Sequence, residues 1–222
     1  LLVPTASIGP APGTHPTAVQ QNVPAWLVFG MFFVVTAISS LFVQEQQGGT
    51  LARLAAMGVP DGYQIVAKAL PYVAVNGIQA VLMLAVGCLL MPLLGSEGLS
   101  LAGIHWPALL LMLAATSLAA IGFALLLACL VRTHAQANTL GPLCNLLMAA
   151  LGGIMVPTFV MPGAMQQLAR LSPMNWGLEG LLTVLLRHGD VAEAAPWALR
   201  LAVFGILGLA LASRLFSRRI TP

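Results

Sequence analysis

Lys68 is the only lysine in the sequence, and it sits in Val66-Ala67-Lys68-Ala69. A GxxxxGK(S/T) phosphate loop needs a lysine at the end of a glycine-rich turn to reach the β- and γ-phosphates, so none exists here. Any ATP would have to be bound by another chain or domain. No HExxH and no GxSxG occurs either, which removes the commonest zinc-peptidase and serine-hydrolase signatures. His15, His105, His134 and His188 stand apart from one another and read as interfacial polar groups, because a metal needs clustered ligands. Cys88, Cys129 and Cys144 lie in apolar stretches without a CxxC pair, so they read as small core residues. The sequence thus predicts no catalytic, cofactor or metal site of its own. The polar side chains left inside apolar stretches are neutral: Asn76, Gln79, Thr116, Ser117 and Asn145. They read as interhelical hydrogen-bonding groups or as polar lining of a pathway.

These residues are carried by elements built for lipid. Of 222 residues, 59% are hydrophobic and only 7% charged, against ~25% charged in a soluble domain. Mean hydropathy is +0.95. Several apolar runs reach the ~20 residues that cross a ~30 Å hydrocarbon core as helix. Helix satisfies its own backbone groups where lipid offers none. A transmembrane barrel would show alternating ~10-residue segments, and these runs are continuous and rich in Leu and Ala. The expected fold is all-α, a polytopic membrane helical bundle with spans at about 24–43, 65–94, 106–131, 137–160 and 196–216. Residues 1–23, with Gly9-Pro10 and Pro12-Gly13, read as a loop or the tail of an outer domain. Residues 44–62 read as a polar loop containing a short amphipathic surface helix. Residues 161–195, broken at Pro162 and Pro173, read as two interfacial or re-entrant helices. Residues 217–222 form a basic tail.

Sidedness follows from Lys and Arg, which concentrate in cytoplasmic loops. In this topology one side receives Arg53, Lys68, Arg132, Arg214, Arg218 and Arg219, and the other only Arg170, Arg187 and Arg200. The first side is expected to be cytoplasmic, with the C-terminus inside and the N-terminal segment outside. An odd span count in that orientation implies one further span upstream of Leu1, six in all, and no signal peptide begins the sequence. Net charge is +3, but no basic run exists beyond Arg218-Arg219, so no nucleic-acid partner is expected. Lys68 and Arg200 lie near span ends and can snorkel. No ionisable group falls at a span centre, which argues against proton- or ion-coupled transport.

The loop after the first span reads Glu45-Gln46-Gln47-Gly48-Gly49-Thr50-Leu51-Ala52-Arg53-Leu54. It resembles the E-R-E-x-G-T-L-x-R-L segment of type-2 ABC exporter permeases, departing at Gln46 and Gln47. Lys68-Ala69-Leu70-Pro71-Tyr72 resembles the family's G-K-x-L-P-Y opening of the next span. Arg132-Thr133 resembles its short cytoplasmic loop, and Pro157, Met161-Pro162 and Leu171-Ser172-Pro173 its outer re-entrant segment. The resemblance implies a plasma-membrane exporter, in the inner membrane of a bacterium. It implies a homo- or heterodimer of permease copies, driven by ABC ATPase subunits or domains that carry the ATP and Mg. It makes Glu45, Gly49, Thr50, Leu51, Arg53 and Leu54 the ATPase-coupling residues, with Thr50 capping the helix, Leu51 and Leu54 filling an apolar groove and Arg53 reaching a partner carboxylate. Two other classes stand beside this one. A secondary transporter or channel would need a buried ionisable residue elsewhere in the protein. A membrane-embedded lipid-modifying enzyme would need clustered Asp, Glu or His at the interface. An adjoining P-loop ATPase would discriminate among them, and the substrate is not legible.

Overall fold

The computed structural model describes residues 18–95 and 98–220. The expected N-terminal loop therefore lies largely outside the described residues, as do Ser96, Glu97 and the last two residues of the tail. The described residues are helical and contain no strand. In chain order the helices are α1 (Ala18–Phe32), α2 (Val34–Gln47), α3 (Thr50–Ala56), α4 (Asp61–Ala85) and α5 (Met91–Leu93). They continue as α6 (Trp106–Leu130), α7 (His134–Leu151), α8 (Gly163–Ala169), α9 (Pro173–Arg187) and α10 (Val191–Ile220). A π-helical turn, Val86–Leu90, joins α4 to α5.

Four stretches are long and apolar enough to cross a membrane: Val19–Gln47, Gly62–Leu93, Trp106–Leu130 and Val191–Phe216. The expected fifth, residues 137–160, is not continuous helix. α7 stops at Leu151, where Gly152 and Gly153 follow and Gly153 takes φ +84°. Its first turns also carry His134, Gln136, Asn138 and Thr139, which lowers its apolar character. The first span starts earlier than expected. Pro24 lies inside α1 and not at its first turn, because Val19–Val23 extend the helix backwards. That span has a one-residue irregularity near its middle at Phe33, which stays in right-handed helical conformation while its N–H bonds both Phe29 O and Gly30 O at 3.1 and 2.9 Å.

α6 is the central helix, its buried residues running from Ala108 to Cys129. α10 runs parallel to it at backbone contact. A Cβ on Gly122 would stand 2.3 Å from Gly205 O, and one on Gly208 would stand 2.8 Å from the Gly122 carbonyl carbon. Lipid tails are as apolar as Leu, so helices in a bilayer associate through such close approach rather than hydrophobic burial. α9 also penetrates the bundle. A Cβ on Gly177 would meet Val28 at 3.2 Å and Thr116 at 3.6 Å, ten residues into α1 and α6 respectively, or about 15 Å along each axis. Gly180 lies against Met112 and the Trp197 Cβ. α8 stays exposed on most of its length. α4 is the least covered span: 17% of its most apolar window is buried, against 56% for α1–α2 and 61% for α6.

Candidate functional site at the α3 end of the bundle

The ends of α2, α6 and α10 and the starts of α4 and α7 meet at one end of the bundle, around α3. Phe42 of α2 packs edge-on against Phe216 of α10 with centroids 5.6 Å apart, and Ser40 donates to Asn138 of α7 at 2.9 Å. Arg53, Lys68, Arg132 and Arg214 gather at this end, whereas Arg170 and Arg187 close α8 and α9 at the other and Arg200 lies in the first part of α10.

Between α2 and α4 the chain makes two sharp turns, each on a left-handed glycine: Gly49 at φ +68° and Gly58 at φ +75°. A Cβ would meet nothing within 4 Å at either, so the backbone conformation, not space, asks for glycine. Seven residues of helix lie between them. Thr50 opens α3, and its hydroxyl accepts from the Arg53 guanidinium at 3.5 Å. Arg53 also donates to Gly48 O at 3.1 Å, so its guanidinium folds back over the first turn. Leu51 is buried in this chain and Leu54 is half-buried. Met57 and Tyr63 are the exposed apolar groups here, at 69% and 74%. The second turn is closed by Val59 N–H to Leu54 O at 3.2 Å and by buried Gln64, which donates to Val59 O at 3.2 Å.

Glu45 and Lys68 form an ion pair between α2 and α4, their side chains 22% and 10% exposed. Lys68 therefore does not snorkel into solvent as its place near a span end suggests. It lies two turns inside α4 and needs a partner, because an unpaired ammonium is costly to desolvate.

Of the deep polar residues, Asn76 and Ser117 meet each other, and the rest take separate partners. Asn76 of α4 donates to Ser117 of α6 at 3.1 Å, both buried. The Thr116 hydroxyl turns back to Met112 O at 2.7 Å. Asn145 of α7, fully buried, donates to Phe29 O at 3.5 Å beside the irregularity in the first span. Gln79 fills the notch left by Gly30, where a Cβ would stand 1.9 Å from its Nε2. Among the described residues no group of three His, Cys, Asp or Glu is placed to hold a metal ion.

Sequence reasoning missed Gln64, Met57, Tyr63 and the pairing of Lys68. The available signal was chemical: a single lysine two turns inside an apolar span demands an acid, and Glu45 and Asp61 are the acids at that end.

The described residues thus form a multi-pass helical membrane bundle with a short glycine-hinged helix at its basic end. The family model described as ABC-2 family transporter protein matches residues 4–214, nearly the whole chain. The chain belongs to the ABC-2 transporter family and is a permease subunit of an ABC transporter. Comparison with curated proteins finds no match.

Proposed function

We propose that this chain is the permease of an ATP-driven exporter, moving an amphipathic or hydrophobic substrate out of the cytoplasm or the inner leaflet. A separate ABC ATPase subunit or domain supplies ATP hydrolysis, and two permease copies enclose the pathway. The observation that supports this reading is α3: a short helix on two glycine turns, buried along Leu51, with Leu54, Met57 and Tyr63 presented at the basic end of the bundle. That basic end is the cytoplasmic one by the charge rule. A helix seated in a groove of the ATPase would convert closure of the nucleotide domains into rigid-body motion of the spans.

The test is reconstitution of the permease with its ATPase in proteoliposomes. Transport should require hydrolysable nucleotide, and the permease alone should hydrolyse none. Leu54→Asp and Met57→Asp should abolish transport and stimulation of the ATPase together while the chain still inserts at normal levels. Transport that persists without nucleotide would refute the reading and favour a secondary carrier.

A further inference from the structure

We infer that the Lys68–Glu45 pair is a positioning device that makes α2 and α4 move as one body when α3 is displaced; this rests on the reading of α3 as the docking element. Gly49 and Gly58, both at positive φ, flank a helix of seven residues. Joined to its spans by backbone alone, α3 would swivel on these turns, and a push delivered to it would be lost as local bending. Further ties bypass the turns. Arg53 spans the first by reaching Gly48 O. The backbone bond from Val59 N–H to Leu54 O spans the second, and Gln64 of α4 holds Val59 just beyond it. The Lys68–Glu45 pair closes the base, joining the last turn of α2 directly to α4.

Covering differs sharply between the two spans. α2 belongs to a span with 56% of its most apolar window buried, while α4 has 17%. Packing holds α2 to α6 and α7, but leaves α4 lightly held. A directional tie between partly buried charges therefore contributes most at α4. Lys68 also carries the sequence's only ammonium, and the short acidic partner fixes its position more tightly than solvent would.

The experiment uses the assembled permease–ATPase complex in proteoliposomes and reads transport, ATP hydrolysis and their ratio. The variants are Lys68→Met, Glu45→Gln, the neutral double Lys68→Met/Glu45→Gln, and the exchanged pair Glu45→Lys/Lys68→Glu. The single variants should keep ATP hydrolysis close to wild type while transport per ATP falls about tenfold. The exchanged pair should regain most of that ratio, which a purely structural role for either residue would not predict. If a single variant fails to insert, the neutral double, which leaves no unpaired charge, takes its place and should be folded yet uncoupled. An unchanged transport-to-ATP ratio in the singles or the neutral double overturns the inference. So does an exchanged pair that stays as uncoupled as the singles. Either result, obtained with nucleotide-dependent transport in the wild type, leaves the exporter reading standing; loss of nucleotide dependence in the wild type removes that reading instead.

Discussion

Glu179 lies on α9 between buried Leu178 and Gly180. Burial holds its carboxyl above the usual carboxylate range, and the Arg187 charge draws it partly back. A raised carboxyl binds its proton more tightly in the folded chain than in the unfolded one. Its contribution to stability is therefore complete below the ordinary value and is lost as pH rises through the raised one. Glu179→Gln should raise the unfolding temperature at pH 8, leave it unchanged near pH 4, and flatten the profile between. Thermal unfolding in detergent across that range checks this. Asn76 and Ser117 make a second residue-scale case. Ser117→Ala strands the buried Asn76 amide and should cost about 1 kcal/mol, whereas Asn76→Leu/Ser117→Ala should recover most of it, because no orphan remains. The sequence made Asn76, Thr116, Ser117 and Asn145 visible as polar atoms in apolar runs. It could not say which pair with side chains and which with backbone, since Asn76 and Ser117 lie on separate helices and Asn145 reaches a carbonyl of α1. The Lys68–Glu45 tie was legible only as the lysine's need for an acid; which of Glu45 and Asp61 meets it depends on the turn geometry between α2 and α4.

At the scale of elements, glycine decides which helices touch. α6 and α10 meet backbone to backbone at Gly122, Gly205 and Gly208. Gly205→Leu or Gly122→Leu must drive them apart and should lower stability by about 3 kcal/mol or more. Gly77→Ala is the matched control. It faces open space on α4, and it should be neutral or stabilising by about 0.5–1 kcal/mol through helix propensity. Both are read as shifts in unfolding midpoint. The all-helical class was plain in the hydropathy, because lipid permits little else. The depth of α9 was not. Gly177 and Gly180 mark the close approach, but three-residue glycine spacing is equally at home on a surface helix, and Ser172-Pro173 pointed to an interruption at the interface. The end of α7 was misplaced because Leu151–Val160 stays apolar after the helix has stopped; hydropathy reports affinity for lipid and not hydrogen-bonded continuity.

For the whole molecule, the grouping of Arg53, Lys68, Arg132 and Arg214 at the α3 end makes orientation a single binary question. In a variant with Cys88, Cys129 and Cys144 replaced, Met57→Cys should resist an impermeant thiol reagent in intact cells, and His188→Cys should react. The reverse pattern would invert the assignment. The second span adds a dependence on the surrounding solvent itself. Gly62–Leu93 contains 32 residues, about 48 Å of helix, against a hydrocarbon core of about 30 Å, and a span longer than its bilayer accommodates by leaning, kinking or thickening the lipid around it. Because few neighbours fix its angle, acyl-chain length becomes a control parameter. In short-chain lipid the span lies flatter, and through Lys68 the lever it shares with Glu45 starts from another rest position. Transport per ATP should therefore vary with lipid chain length in the wild type and lose that variation when Lys68 is replaced by methionine: the bilayer is a tuning input, read out by the span that the rest of this chain covers least.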